Sequence, residues 1–400
     1  MKEEYNIVAD LVDEELKPEP FLLWDMNYLY EAFCKSMKGS SWKGAPQKFE
    51  QDVLYQLTLI SKSLEDHSYE PDPTVEFVLK ERGKTRYIHG NTIRDRIVRH
   101  NLCDNVITPT IDNLIIYNNG ASQKGKGISF SRKKFETDLH NFYLKYHNID
   151  GYVLFIDFSK FYDNISHQEV RKMFADLLDE ESKWLLDLIL DSFNIDITNY
   201  PSINPNEKFD SIAFHELTPE FSEGLPQRYL NKGIDIGDQT SQNIGVFYPT
   251  RIDTYATVVR SHKWYGRYMD DIYIIHKDKD YLEETLRGIQ KLANEYGLFI
   301  NHKKTRICKL SDTYKFLQVK YFMTESGKVV KRINSKAITR ERRKLKGYRR
   351  LLDKGIMEYT EIKNAYKGWI CDYYKLMSKE QIKHMQSLYS ELFNDTVRYK

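Results

Sequence analysis

The sequence predicts an α+β protein, and three observations support that fold class. Residues 152–156 form a continuous apolar run that ends at Asp157, as expected for a buried strand. The segment Tyr268-Met269-Asp270-Asp271 separates two short apolar runs, which is the pattern of a β-hairpin. Between residues 329 and 350, apolar side chains recur among basic ones with the spacing of one or two helices.

The hairpin places two adjacent carboxylates, Asp270 and Asp271, at its turn. Adjacent aspartates repel each other, and a fold gains little stability by holding them side by side. A bound divalent cation would neutralise both charges, because carboxylate oxygens are the ligands that Mg²⁺ takes in proteins. An ordinary polar turn is the alternative for this tetrapeptide taken alone.

Asp157 supplies a third carboxylate. A charge at the end of a buried strand is costly unless it is paired or bound to a cation. If this strand and the hairpin lie side by side in one antiparallel sheet, all three carboxylates converge. Three carboxylates around two Mg²⁺ ions would form a site for phosphoryl transfer.

Two segments together carry a specific resemblance. Residues 157–167 read DFSKFYDNISH and residues 268–271 read YMDD. They resemble the palm of reverse transcriptases, in the bacterial group that includes group II intron enzymes and diversity-generating retroelements. The similarity extends from residue 75 to residue 375. It implies a right-hand polymerase in four parts. These are an N-terminal helical extension at residues 1–75, fingers at 76–150, a palm at 151–325 with an insertion near 195–225, and a helical thumb at 326–400.

The resemblance also implies a metal site and a sugar gate. Asp157, Asp270 and Asp271 would bind two Mg²⁺ ions, or Mn²⁺ in their place, with the main-chain carbonyl of Phe158 as a further ligand. Tyr162 stands five residues after the first aspartate. There the family places a bulky aromatic side chain that would clash with a ribose 2′-hydroxyl. A core aromatic is the alternative for Tyr162 in a chain with 29 tyrosines.

A basic hairpin and an arginine-rich run precede these motifs. Lys84 and Arg86 are two residues apart, so a strand would present them on one face. They resemble the fingers residues that bind the triphosphate of the incoming nucleotide, where charge-assisted hydrogen bonds are effective. Arg94, Arg96 and Arg99 follow, and they are expected to contact template phosphates or to pair with nearby acids, with a solvated surface charge as the alternative for each.

Residues 236–242, IGDQTSQ, resemble the segment that packs on the templating base pair. This is the form with a final SQ that is associated with diversity-generating retroelements. Ile236, Gly237 and Gln242 are therefore candidate nucleotide-binding residues. Ile236 stands where many relatives have glutamine, and Ile234-Asp235 replaces the usual Leu-Pro. An apolar side chain cannot hydrogen-bond the nucleotide sugar, so base-pair geometry would be checked less strictly.

Three further segments complete the resemblance. Residues 297–305 are similar to the family's LxLNxxKT segment, and Lys304 is the candidate general acid for pyrophosphate, with a plain exposed lysine as the alternative. Residues 316–319 are similar to the primer grip, with Gln318 in place of glycine. Residues 329–350 contain ten Lys and Arg against one acid, Glu341, and are expected to grip the template–primer duplex as the thumb.

Composition indicates the general class of protein through its net charge, its cysteines and its apolar runs. The net charge is only +2, so the basic residues act locally and the chain is not a general binder of polyanions. The four cysteines are widely spaced and form neither a zinc pattern nor a disulfide framework, which fits a cytoplasmic protein. No apolar run is long enough to cross a membrane, and no signal peptide is recognised.

The function that these observations favour is an RNA-directed DNA polymerase that uses dNTPs and a dedicated RNA template. Two cellular roles compete. One is a diversity-generating retroelement enzyme that works with a small accessory protein. The other is a defence-associated bacterial enzyme that copies a structured noncoding RNA, or makes untemplated DNA, during phage infection. An RNA-binding scaffold with an inactive polymerase fold is the alternative from another class. The sequence does not indicate an oligomeric state.

Overall fold

The computed structural model describes residues 21–81, 84–196 and 229–398, and it divides the chain into two compact units. The first unit comprises Met1–Tyr117, Phe158–Thr254 and Gln290–Ile300. The second comprises Asn118–Asp157, Tyr255–Ile289 and Asn301–Lys400. Both contain helices and antiparallel strands, so the α+β class is confirmed. The division into fingers, palm and thumb stays a prediction.

Most elements of the first unit are helices, numbered here in chain order over the whole protein. They are α1 (Met26–Met37), α2 (Gly44–Gln51), α3 (Val53–Glu65), α4 (Ile93–Leu102), α5 (Thr108–Asp112), α7 (His167–Phe174), α8 (Glu180–Asp191), α9 (Gln239–Phe247) and α10 (Thr250–Thr254). Its strands form antiparallel pairs: β1 (Val75–Glu81) with β2 (Lys84–Gly90), β4 (Phe158–Ser159) with β9 (Phe299–Ile300), and β5 (Ile195–Asp196) with β6 (Tyr229–Leu230).

The second unit contains two antiparallel sheets and four helices of its own. One sheet has the order β10-β3-β8-β7, and the other has the order β11-β12-β13. The strands are β3 (Tyr152–Ile156), β7 (Trp264–Tyr268), β8 (Asp271–His276), β10 (Arg306–Lys309), β11 (Tyr314–Phe316), β12 (Val319–Met323) and β13 (Val329–Ile333). The helices are α6 (Ile128–Tyr146), α12 (Ser335–Asp353), α13 (Tyr359–Tyr373) and α14 (Lys379–Phe393). Helix α11 (Lys279–Glu295) begins in this unit and ends in the first.

The two central strands of the four-stranded sheet are buried on both faces. In β3, Val153, Leu154, Phe155 and Ile156 are all buried, and the same holds for residues 272–275 in β8. This explains why both segments read as continuous apolar runs and not as an alternation. Helix α6 covers one face of the sheet through Phe135, and the centroid of its ring lies 4.7 Å from the centroid of the Tyr273 ring. The buried strands hold in place the strand ends that carry the predicted acids.

The basic segment 329–350 was expected to form one or two helices, and this is wrong for its first part: Val329–Ile333 is the strand β13, which pairs with β12, and the helix α12 follows it. Helix α12 buries Ala337 and Leu345 in the core of the second unit, together with residues of α13 and α14. Its single acid, Glu341, is also buried, and burial raises the pKa of that carboxyl. Arg342, Arg343 and Lys346 are exposed. The solvent-facing side of α12 therefore carries basic residues with no acid among them between Lys336 and Arg350.

The described part of the N-terminal extension contains the helices α1, α2 and α3. Residues 27–33 lie within α1, which begins after Asp25; the Asp25 carboxylate accepts a hydrogen bond from the Asn27 amide at 2.7 Å. The run from Phe49 to Leu64 is divided between α2 and α3, because Asp52 leaves the helical conformation with φ −120° and ψ 32°.

Several predictions fall outside the described residues. Residues 1–20 of the N-terminal extension and 197–228 of the predicted insertion are among them, as are Arg82 and Gly83 at the tip of the β1–β2 hairpin. The four cysteines are all free thiols. Among the helices described, none is long and apolar enough to cross a bilayer.

Candidate active site

The strand register brings three of the predicted site residues to one end of the four-stranded sheet. Ile156 of β3 pairs with Ile272 of β8, and Phe155 pairs with Arg306 of β10 on the other side. Continuing both registers past the end of β3 sets Asp157 between Asp271 and Lys304. The predicted side-by-side placement of this strand and the hairpin in one antiparallel sheet is thus confirmed, and the convergence of all three carboxylates on one site stays a prediction.

The predicted hairpin with its acids at the turn is also confirmed. Tyr268 of β7 pairs with Asp271 of β8, which leaves Met269 and Asp270 as a two-residue loop. Met269 adopts φ 55°, a conformation that favours glycine and costs a larger side chain about 1 kcal/mol. The Arg267 guanidinium donates to the Met269 carbonyl at 3.3 Å and is itself almost fully buried. The turn is therefore held in a strained form by a side chain from the strand before it.

A loop that begins at Asn118 extends the sheet beyond β7 through its residues 118–120. The Arg267 amide donates to the Asn118 carbonyl at 3.2 Å, and the Gly120 amide donates to the Arg267 carbonyl at 3.1 Å. The Asn118 side chain donates to the Tyr265 carbonyl at 3.0 Å. This loop is therefore anchored beside the acidic hairpin, which its sequence did not reveal.

The segment after β9 holds Asp157 by both its main chain and its side chain. The Lys304 ammonium donates to the two carboxylate oxygens of Asp157, at 2.5 and 2.8 Å. The Asn301 amide donates to the Asp157 carbonyl at 2.8 Å, and the Asp157 amide donates to the Thr305 hydroxyl at 3.2 Å. Sequence reasoning identified Lys304 but missed Asn301 and Thr305, although both belong to the NxxKT part of the motif.

The surroundings of Asp271 disfavour its negative charge. Burial first, and then the negative charges of Asp270 and Asp157, together raise the pKa of Asp271 to about 7, although Lys304 and Lys315 oppose the shift. Within the described residues, no group of three His, Cys, Asp or Glu side chains is assembled as a ready metal site.

The carboxylate oxygens of Asp157, Asp270 and Asp271 nevertheless suit a divalent cation as ligands. They lie at a partly buried strand end, and a bound cation would relieve the repulsion between their negative charges. The roles of Asp157, Asp270 and Asp271 as metal ligands stay predictions. Phe158 is buried in β4, and the role of its carbonyl stays a prediction as well.

In the first unit, the main chain around Tyr162 is fixed by the segment before α9. The Ile234 amide donates to the Tyr162 carbonyl at 3.1 Å, and the Gly233 amide donates to the Ile165 carbonyl at 2.9 Å. The Tyr162 ring is partly exposed and meets the Phe161 ring edge-on, with 5.6 Å between centroids. The gate candidate and the nucleotide-binding candidates that begin at Ile236 therefore belong to directly joined segments.

The loop that precedes α9 has a defined conformation. Gly237 adopts φ 107°, where other residues are strained, and it is exposed, as is Ile236 with 37% of its surface accessible. The Asp238 carboxylate accepts from the Thr240 amide at 2.9 Å and so caps α9. Gln242 is exposed on the first turns of that helix. The binding roles of Ile236, Gly237 and Gln242 stay predictions.

The arginine-rich run makes internal contacts. Arg99 forms a fully buried ion pair with Asp238, and Arg94 pairs with Asp72 at 2.8 Å. The Arg96 guanidinium donates to the Ser36 carbonyl at 2.5 Å. Of the two expectations for these arginines, pairing with nearby acids is confirmed for Arg94 and Arg99, whereas Arg96 instead contacts a main-chain carbonyl.

The predicted basic hairpin is confirmed as β1 and β2. Lys84 pairs with Glu81 and Arg86 with Leu79, so the two basic residues occupy alternate positions of one strand. The Lys84 side chain lies outside the described part of the structure, and Arg86 is partly buried. Their binding of a triphosphate stays a prediction.

Comparison with known proteins gives a matching family and similar solved structures. The family described as reverse transcriptase (RNA-dependent DNA polymerase) matches residues 78–321. The fold is similar to a chain in a structure of telomerase from Candida albicans in complex with the TWJ fragment of telomeric RNA, with a TM-score of 0.43 and 12% identity. That match covers 82% of this chain and 60% of the other, so this chain spans less than two thirds of its relative. No curated protein sequence matches.

Proposed function

Because the chain belongs to the reverse transcriptase (RNA-dependent DNA polymerase) family, we propose that it synthesises DNA from dNTPs on an RNA template. The α+β right-hand polymerase fold expected from the sequence is confirmed with the family. The observation that carries the proposed activity is the register that places Asp157 between Asp271 and Lys304 at the end of β3.

The three carboxylates would hold divalent ions, Mg²⁺ or Mn²⁺. Such ions lower the pKa of a primer 3′-hydroxyl and stabilise the negative charge of the leaving pyrophosphate. Asn301 and Thr305 keep the main chain of Asp157 in place, so its carboxylate does not have to be ordered when the substrate arrives. Lys304 carries a proton on Nζ beside this site, which suits it to protonate pyrophosphate.

Substrate selection is assigned to residues of the first unit. The Tyr162 ring would exclude a ribose 2′-hydroxyl and thereby favour dNTPs over rNTPs. The main chain of Tyr162 is hydrogen-bonded to the segment before α9, and these bonds hold the backbone that carries the ring in place. Lys84 and Arg86 would bind the triphosphate, and Gly237 and Gln242 would lie against the nascent base pair.

Incorporation of dNTPs on an RNA template tests the activity. We expect extension of a DNA or RNA primer with Mg²⁺ or Mn²⁺, and none after the ions are chelated. An RNA-binding scaffold with an inactive fold is the alternative. It would bind the same primer–template and extend nothing under any of these conditions.

For the cellular role, we favour a bacterial diversity-generating retroelement that copies a dedicated RNA and works with an accessory protein in the cytoplasm. The supporting observation is Ile236, an exposed apolar side chain where glutamine would offer a hydrogen bond. The lost interaction corresponds to about 1 kcal/mol, or roughly a fivefold change in discrimination.

Sequencing of cDNA made by the wild type and by Ile236→Gln on one RNA tests this role. We expect fewer misincorporations in the variant, most visibly opposite template adenine. If the wild type is already as accurate as the variant, the mutagenic role fails. The enzyme is then better described as a defence-associated reverse transcriptase that copies a structured noncoding RNA.

A further inference from the structure

The loop between α1 and α2 presents a tryptophan to solvent. This loop runs from Lys38 to Lys43, and Trp42 has 73% of its surface exposed. No other large apolar side chain is more exposed in the part of the chain that the structure describes. A tryptophan buries more apolar area than almost any other residue when it packs, so such exposure contributes nothing to folding.

The loop that carries Trp42 is built to be rigid. The Ser40 and Ser41 amides both donate to the Met37 carbonyl, at 3.0 and 3.1 Å, and the Lys43 amide donates to the Ser40 carbonyl at 3.0 Å. Ser40 is buried beneath the loop, and its hydroxyl donates to the Ser36 carbonyl at 2.9 Å. Each of these bonds removes freedom that a binding loop would otherwise lose when its ligand arrives.

Helix α4 fixes the same loop from below. The Arg96 guanidinium donates to the Ser36 carbonyl at 2.5 Å and to the Ser40 hydroxyl at 3.4 Å. Arg96 belongs to the run expected to contact phosphates or acids, and the partners that it has here are a main-chain carbonyl and a hydroxyl. The loop is thereby tied to a helix of the same unit.

The indole itself has a set orientation. Its Nε1–H donates to the Gly39 carbonyl at 3.2 Å, so the one polar atom of the side chain is already satisfied within the loop. What remains for a partner is the aromatic face. The Lys43 ammonium lies 5.5 Å from the ring centroid, and the stretch from Lys38 to Lys48 contains three lysines and no acid. An aromatic face in a locally positive surface suits a nucleic acid, which has planar bases and negatively charged phosphates.

We propose that Trp42 and the loop Lys38–Lys43 form a platform on which a base of single-stranded nucleic acid stacks while the lysines contact its phosphates. Every base offers a π face, so the platform would be tolerant of sequence. The site rests on the proposed function only in that RNA is taken as the strand bound. It requires no catalytic step.

Binding of an unstructured oligouridylate about 20 nucleotides long tests the platform. The background is the full chain carrying Asp270→Asn and Asp271→Asn, so that polymerase activity has no part in the result. We expect Trp42→Ala to weaken binding about tenfold and Trp42→Phe to retain most of it, since a base also stacks on phenylalanine. Leu54→Ala, which alters an equally exposed apolar side chain of α3, is the matched control and should change nothing.

Two further measurements make the result decisive. Lys38→Ala with Lys43→Ala should reduce the salt dependence of binding by about 1.4 units, because single strands lose about 0.7 unit per phosphate contact. The RNA should also quench a fluorescence component that Trp42→Phe lacks. If Trp42→Ala binds the oligouridylate as tightly as its background protein does, and quenching does not depend on Trp42, the proposal is overturned. The exposed face would then be left for a protein partner.

Discussion

Asp235 gives a quantitative test of the electrostatics around the loop before α9. Its carboxylate is mostly buried and lies 3.3 Å from Nδ1 of His89. Burial, with a smaller contribution from the negative charge of Asp238, raises the pKa of Asp235 to about 6, although His89 and Arg99 oppose the rise. We therefore expect Asp235→Asn, which removes the charge and keeps the shape, to stabilise the protein at neutral pH.

The direction and size of this stability change follow from the difference in the pKa of Asp235 between the folded and the unfolded protein. The pKa in the folded state is higher than the ordinary 3.8, so the folded state binds more protons between about pH 4 and pH 6. The free energy of unfolding must fall as pH rises through that window. About two pKa units correspond to roughly 3 kcal/mol, which is an upper bound on the cost above pH 6. Asparagine does not ionise and avoids this cost.

Denaturant unfolding of wild type and variant at pH 4.5 and pH 7.5 measures the effect. We expect Asp235→Asn to be more stable by up to about 3 kcal/mol at the higher pH, with most of the gain gone at the lower. Asp176→Asn, at an exposed position of the same unit, is the control and should show no such pattern. A gain independent of pH, or a loss at pH 7.5, would refute the reasoning.

Three other predictions follow from the same structure. Tyr162→Ala should raise the rNTP-to-dNTP ratio of kcat/KM by removing the clash with the 2′-hydroxyl, and an unchanged ratio would exclude Tyr162 as the gate. Neutralising Arg342, Arg343 and Lys346 on α12 should weaken binding of duplexes of any sequence and flatten the salt dependence by at most about 3 units; an unchanged slope would mean that this face does not contact nucleic acid. Gln318→Gly should stabilise the protein by about 1 kcal/mol, because Gln318 has φ 72° in the two-residue turn between β11 and β12. The midpoint of denaturant unfolding measures this change. No stabilisation would mean that the turn is unstrained.

The acids could be predicted from sequence because each stands at the end of an apolar run. A buried strand that ends in Asp157 and a two-residue hairpin around Asp270 are local patterns, and both persist in the structure. Their meeting required only that the two elements share a sheet. Local patterns with strong hydrophobic content are the ones that tertiary packing rarely overrides.

The supporting contacts could not be predicted, because they join residues far apart in sequence. Nothing near Asp157 indicates that Thr305 and Asn301 hold its main chain. Nothing near Arg96 indicates that its partners lie in the loop after α1. The break between α2 and α3 could not be predicted, because Asp52 is neither a proline nor a glycine, the residues that usually mark a helix end.

The central claim is that Asp157, Asp270 and Asp271 bind the divalent ions that drive DNA synthesis on RNA. Primer extension by the Asp270→Asn/Asp271→Asn protein tests it most directly, with primer–template binding measured on the same preparation. We predict that binding is retained while dNTP incorporation is lost at every Mg²⁺ or Mn²⁺ concentration, because the ions lose their anionic ligands. Full incorporation by this double variant would contradict the account.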